Sequence, residues 1–301
     1  MINDETITQS RNQRISGYVL AALAAILWSF IGPLSKGAIA EDISPIEVAF
    51  WRAALGGLCF AVQTIVSRSM RIPLRHAAIF FLFGGWSIGV LFVSLQVSIK
   101  LSGAAMAMVL LYTAPAWVAI ASRLLFREPL SRQKLLGLGV ALVGTGLICS
   151  SGGSLSEGYS VLGIACGLVS GLAYASHFPF FVWWKSRYST ATIYTYMLLG
   201  GTAFMFPLVD FAPDKSWQAW GTLSALGILT NYAAYRALAG SLRRIGQVEA
   251  AVIGNIEPVL ATLWVWLFYE ENFTAAGWLG CGLVIGAVFL LTLERSSRPP
   301  E

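Results

Sequence analysis

Charge is what this chain has least of. Only 12% of its 301 residues are Asp, Glu, Lys or Arg, about half the share in ordinary soluble domains. A soluble fold of this length needs far more polar surface. There are two histidines and four cysteines. Cys59, Cys149, Cys166 and Cys281 each lie inside an apolar run without metal-ligand spacing, so they read as inert thiols and imply neither a metal nor a cofactor. No Gly-Lys-Ser/Thr sequence occurs, so the 30 glycines form no phosphate loop and an ATP-driven pump is unsupported. Converging nucleophiles and Asp-rich motifs are missing at membrane depth, which argues against an intramembrane enzyme. Large polar loops of the kind a receptor or assembly factor uses are missing too. The net charge of +5 comes from basic residues set between apolar runs, a distribution that argues against nucleic-acid binding.

What the chain does have is apolar sequence, at 56% hydrophobic residues and a mean hydropathy of +0.69. A membrane-spanning helix needs about 17–25 mostly apolar residues. Ten such runs are predicted, at 17–39, 45–67, 77–98, 102–124, 135–152, 160–184, 191–211, 217–238, 247–268 and 274–293. The N-terminus is polar through Ser16 and shows no small-residue cleavage site after its first run, so that run reads as a retained span. Alternate loops collect the cations: Arg11 and Arg14; Arg68, Arg71 and Arg75; Arg123, Arg127, Arg132 and Lys134; Lys185 and Arg187; Arg236, Arg243 and Arg244; Arg295 and Arg298. Those 16 of the 20 basic residues share one side, which the excess of Lys and Arg marks as cytoplasmic. The acidic Glu41, Asp42, Glu157, Asp214, Glu270 and Glu271 fall on the other. Both termini are then cytoplasmic.

The second half of the chain repeats the first. At a spacing of 143 positions, Leu95, Ser98, Lys100, Gly103, Pro115, Glu128, Gly137 and Gly139 meet Leu238, Ser241, Arg243, Gly246, Pro258, Glu271, Gly280 and Gly282. At 146, Gly17, Trp28 and Pro33 meet Gly163, Tyr174 and Pro179. The loops change sign between copies: Arg68–Arg75 is basic, while its counterpart Asp210–Lys215 is acidic. Five spans per half is an odd number, so the copies face opposite ways, the arrangement of a secondary transporter with its site between them. The domains expected are a tail at 1–16, a first unit at 17–152, a second at 160–293 and a tail at 294–301, with the Ser150–Ser156 stretch at the junction.

Ala114-Pro115 with Glu128, repeated as Glu257-Pro258 with Glu271, together with the two five-span halves, resembles the drug/metabolite transporter superfamily with paired EamA-type repeats. Within it, the aromatic abundance looks like that of the YddG-type aromatic amino acid exporters. The resemblance covers about 17–293. It implies an all-α integral membrane protein of the bacterial inner membrane that exports amino acids by alternating access, through a cavity between the halves. A multidrug or other metabolite carrier of the same superfamily is the alternative.

Candidate site residues follow from depth, polarity and repeat position. Pro33, Pro115, Pro179 and Pro258 lie inside spans and are expected to kink them. Glu257 is a carboxylate far from either loop, a costly placement that calls for a partner or a water-filled path. It reads either as an ammonium-binding or proton-coupling group or as half of an ion pair with Arg52. Glu249, nearer the cytoplasmic end, is expected to pair with Arg243 or Arg244. Lone His177 reads as a packing residue or as part of the cavity beside Trp28 and Tyr174. Ser29, Trp86, Tyr112, Asn231, Tyr235 and Asn255 complete the expected wall, whose aromatic share suits apolar or aromatic side chains. The glycines around Gly137 and Gly280 are expected to let helices pack closely, within one chain or across a homodimer; monomer and dimer both stand. The partners expected are a small-molecule cargo and the lipid bilayer.

Overall fold

A computed structural model describes residues 4–151, 160–269 and 274–292. The junction 152–159, the loop with Glu270 and Glu271, and the C-terminal residues with Arg295 and Arg298 lie outside the described residues. Every described element is helical. The first half holds α1 (Asp4–Ser29), α2 (Ile31–Ile39), α3 (Pro45–Val66), α4 (Leu74–Gly84), α5 (Leu91–Leu111), α6 (Ala114–Phe126) and α7 (Arg132–Ser151). The second holds α8 (Val161–Trp184), α9 (Thr190–Met205), α10 (Trp217–Ala225), α11 (Ala234–Leu242), α12 (Gln247–Gly254), α13 (Ile256–Tyr269) and α14 (Ala275–Thr292). Among the described residues, six helical stretches are long and apolar enough to cross a membrane: Asn12–Ile39, Pro45–Val66, Leu74–Leu111, Arg132–Ser151, Val161–Trp184 and Thr190–Leu208. Their outer faces carry exposed Val62, Leu82, Val143 and Leu162, side chains that suit lipid rather than water. The polar N-terminal residues, expected to be a tail, continue α1 from Asp4.

Local chemistry sets where helices begin. Ser44, Ser189 and Ser216 accept the backbone N–H of Glu47 (3.2 Å), Thr192 (3.1 Å) and Ala219 (3.0 Å), satisfying donors left over at helix starts. Pro45 follows Ser44 as the first residue of α3, where its missing N–H costs nothing. Gly103 ends the first part of α5 with φ +79° and ψ 157°, a backbone that side-chain-bearing residues rarely adopt.

Prolines shape the interior. Breaks fall at Phe30, at Tyr112–Thr113 and at Asn255. Each lies two to three residues before Pro33, Pro115 or Pro258, where the ring removes the hydrogen bond to the preceding turn. Pro179 differs: α8 runs through it without interruption. π-helical stretches at Gly85–Val90 and Leu226–Ala233 join α4 to α5 and α10 to α11.

Many of these features recur between the halves. Gly56 faces the Asn231 Cβ and the Gly227 carbonyl, and Gly201 faces the Ile88 Cβ and the Gly84 carbonyl. Ile88 and Asn231, like Gly84 and Gly227, are 143 positions apart. Glu47 accepts the Ala212 N–H (2.9 Å) where Thr192 donates to the Ser69 carbonyl (3.0 Å); Ser69 and Ala212 are again 143 apart. Helices in lipid associate by close packing rather than by the hydrophobic effect, and small residues allow it. Gly137 meets Leu291, and Gly144 and Gly280 each lie against the other's carbonyl, which binds α7 to α14 within one chain.

Charged clasps hold the loop ends. Lys215 pairs with buried Glu47 at 2.7 Å, and Trp51 Nε1 donates to the same carboxylate at 3.0 Å. Glu249 does not take Arg243 or Arg244 as its ion-pair partner. Lys134 reaches it at 3.6 Å while also holding Glu128 at 3.2 Å, because Ser131 caps α7 and aims Lys134 at the start of α12. Arg243 instead donates to the Lys185 carbonyl at 2.8 Å. Burial, and then Arg243, hold the Lys185 ammonium below its ordinary value against an opposing pull from Glu128.

Candidate functional site

The helix breaks surround a cavity of about 120 Å3. Its walls come from both halves: Trp28 and Ile31 flank the break at Phe30, Met108, Leu111 and Tyr112 lead into the next, and Glu257 follows the one at Asn255. Arg52 of α3, Leu91, Phe92 and Leu95 of α5, Tyr174 of α8 and Tyr235 of α11 complete it.

Trp28 is its best-fixed wall. The indole Nε1 donates to the Thr230 carbonyl at 2.9 Å, inside the second π-helical stretch where regular helical bonding is disturbed. Its ring makes edge contacts with Tyr174 (6.1 Å) and Tyr235 (5.8 Å), a favoured geometry for aromatic pairs. Tyr112 and Glu257 share the lining. Arg52 is 7% exposed, and its guanidinium carbon lies over the Phe92 ring, 4.3 Å from its centre.

Five residues expected from sequence therefore line the cavity: Trp28, Tyr112, Tyr174, Tyr235 and Glu257. The other five are not in its lining. Ser29 donates to Ile26 and accepts from Trp264 Nε1 at 2.8 Å. Trp86 Nε1 donates to the Ser176 hydroxyl at 3.1 Å. Asn231 donates to the Arg52 carbonyl at 3.0 Å, and Asn255 to the Thr145 hydroxyl at 3.4 Å. His177 lies nearly parallel to Tyr235 (5.0 Å) and to Tyr194 (5.6 Å), and neither ring nitrogen has a hydrogen-bond partner among the described residues. The Arg52–Glu257 ion pair is not formed: no contact within 4 Å joins them, although both face the same space. Arg52 and the apolar wall of Leu91, Phe92, Leu95, Met108 and Leu111 were missing from the expected site. For Arg52 the signal was present, since a cation inside a span marks a function by default.

The stack around His177 yields a direct test. A buried donor or acceptor left unpaired costs about 1–3 kcal/mol. His177→Phe keeps the aromatic shape and removes that cost, so its melting temperature is expected to equal or exceed that of the unaltered protein in a thermal-unfolding assay. A clear fall would mean the imidazole makes a polar contact the stack requires.

Comparison with known proteins defines the class. The EamA-like transporter family model matches residues 15–150 and again 161–293, so the chain belongs to that family, one of multi-pass membrane transporters. It is 27% identical over 292 residues to the uncharacterized transporter YdfC of Bacillus subtilis, covering 94% of this chain and 93% of that one. It is 27% identical over 307 residues to the uncharacterized inner membrane transporter YicL of Salmonella typhimurium, covering 94% and 97%, and 25% identical to an uncharacterized transporter of Archaeoglobus fulgidus, covering 92% and 99%. A solved crystal structure shares the fold with a TM-score of 0.80 at 19% identity, over 93% of this chain and 97% of the other.

Proposed function

We propose that this chain is a secondary transporter of the bacterial inner membrane that exports neutral amino acids, aromatic ones among them, or closely related metabolites. Ten spans form two inverted five-span units, 17–152 and 160–293, with both termini in the cytoplasm, and the units rock about the cavity between them. The recurrence of helix breaks, π-helical stretches and glycine contacts at a spacing of 143 supports the duplication, and the one-sided distribution of Lys and Arg supports the inversion.

The observation that carries the reading is the cavity itself. It lies where three helices break, its walls are largely aromatic and aliphatic, and its lining has one cation and one carboxylate. Mostly apolar walls with a few placed polar groups are the usual make-up of a small-molecule site. A sugar nucleotide needs several cationic clamps, and Arg52 alone does not supply them. The aromatic wall also suits an apolar drug, which keeps multidrug transport as the second reading.

Counterflow in proteoliposomes at equal internal and external pH separates the two. Labelled phenylalanine, tryptophan, methionine or threonine is expected to exchange against its unlabelled form. Movement of a cationic drug with no movement of any amino acid would replace this reading with the second.

A further inference from the structure

We infer that Arg52 is the receptor for the carboxylate of a zwitterionic cargo whose ammonium group sits at Glu257, so that the site takes free α-amino acids and rejects amines, amides and cationic drugs. The inference rests on the exporter reading above and sharpens it.

Arg52 lies within α3, buried, with its guanidinium laid against Phe92. Its Nε has no hydrogen-bond partner among the described residues, and no carboxylate comes within ion-pairing distance. A cation in such a place normally has a counter-charge, because removing it from water is expensive. Glu257 is the acidic group in the same lining, and among the described residues no cation comes within 4 Å of it. The two charges thus share one cavity without touching.

A molecule carrying both signs closes that gap. A carboxylate matches the planar fork of a guanidinium with two parallel hydrogen bonds, and no acceptor among the described residues takes the Nε of Arg52. The ammonium group meets Glu257 beside the rings of Tyr112, Tyr174 and Trp28, whose faces attract cations. The cargo's side chain is left with Leu91, Leu95, Met108 and Leu111. Asn231 holds the backbone of α3 through the Arg52 carbonyl, so the receptor's starting position is fixed. A cationic drug meets an uncompensated Arg52 and an anion meets an uncompensated Glu257; only a zwitterion satisfies both poles.

Competition against labelled phenylalanine counterflow tests this on the unaltered protein, with no substitution to disturb folding. Unlabelled phenylalanine is expected to compete, while phenylalanine amide, phenethylamine and N-acetylphenylalanine compete about tenfold more weakly or worse. Arg52→Lys keeps the charge and loses the fork, and its affinity for phenylalanine is expected to fall while amide competition stays unchanged. Equal competition by the acid and its amide would overturn the Arg52 assignment and leave the exporter reading standing. No labelled amino acid moving at all would overturn the exporter reading, and the assignment with it.

Discussion

Glu257→Gln is expected to cut amino acid counterflow by about tenfold to a hundredfold, with the protein still folded and monodisperse. A hydrogen bond to a charged group is worth about 1.5–3 kcal/mol, and every 1.4 kcal/mol is a tenfold change in affinity. Glutamine keeps the shape and a carbonyl oxygen, so the change removes charge and little else. The same variant separates the two roles the sequence left open for this carboxylate. If Glu257 binds the cargo's ammonium group, counterflow at equal pH and pH-driven accumulation fall together. If it carries a proton instead, counterflow survives and only accumulation driven by a pH gradient is lost. A variant that keeps wild-type rates in both assays removes Glu257 from the mechanism.

The second large effect concerns the fold. A Cβ placed on Gly84 lies 1.9 Å from the Met197 carbonyl oxygen, and one on Gly200 lies 1.8 Å from that of Phe81. Backbone atoms of α4 and α9 therefore touch directly, with no flexible side chain to yield. Overpacking of a core costs about 1–3 kcal/mol and sometimes more, and here two helix backbones have to separate. Gly84→Ala and Gly200→Ala are each expected to lower the melting temperature by about 10 °C or to prevent recovery of monodisperse protein, as read by size-exclusion chromatography after heating. Gly139→Ala is the control: nothing lies within 4 Å of its added methyl, and it is expected to melt like the parent. A normal melting temperature for Gly84→Ala would mean that α4 and α9 are not packed at backbone contact.

Long apolar runs declare helices because in lipid a single segment satisfies its own backbone only as a helix, and so the extents of α3, α7, α8 and α14 are legible within about three residues. Proline marked where helices break at Phe30, Thr113 and Asn255, but the rule fails at Pro179, which α8 accommodates. Composition does not record which of two identical residues a neighbouring helix will support. The site was half legible. Trp28 and Glu257 announce themselves as a large ring and a charge at depth, whereas Leu95 and Met108 look like any lipid-facing residue until the helices are assembled. Tyr112 and Asn255 stand 143 positions apart, yet the two have diverged: one lines the cavity and the other bonds Thr145 of α7. Arg52 stands out in the sequence too, where an ion pair with Glu257 is one of the open readings of that carboxylate. The structure keeps both charges at the cavity wall without joining them, a distance that sequence does not encode.

The most direct test of the central claim is equilibrium binding of a labelled neutral amino acid to purified protein with its cavity filled by Met108→Trp. Met108 lines the cavity of about 120 Å3, and an indole there takes the space assigned to the cargo's side chain. Saturable binding is expected for the parent and its loss for the variant, with the variant still monodisperse and thermally stable. Binding of undiminished affinity to a folded Met108→Trp protein would place the cargo outside this cavity.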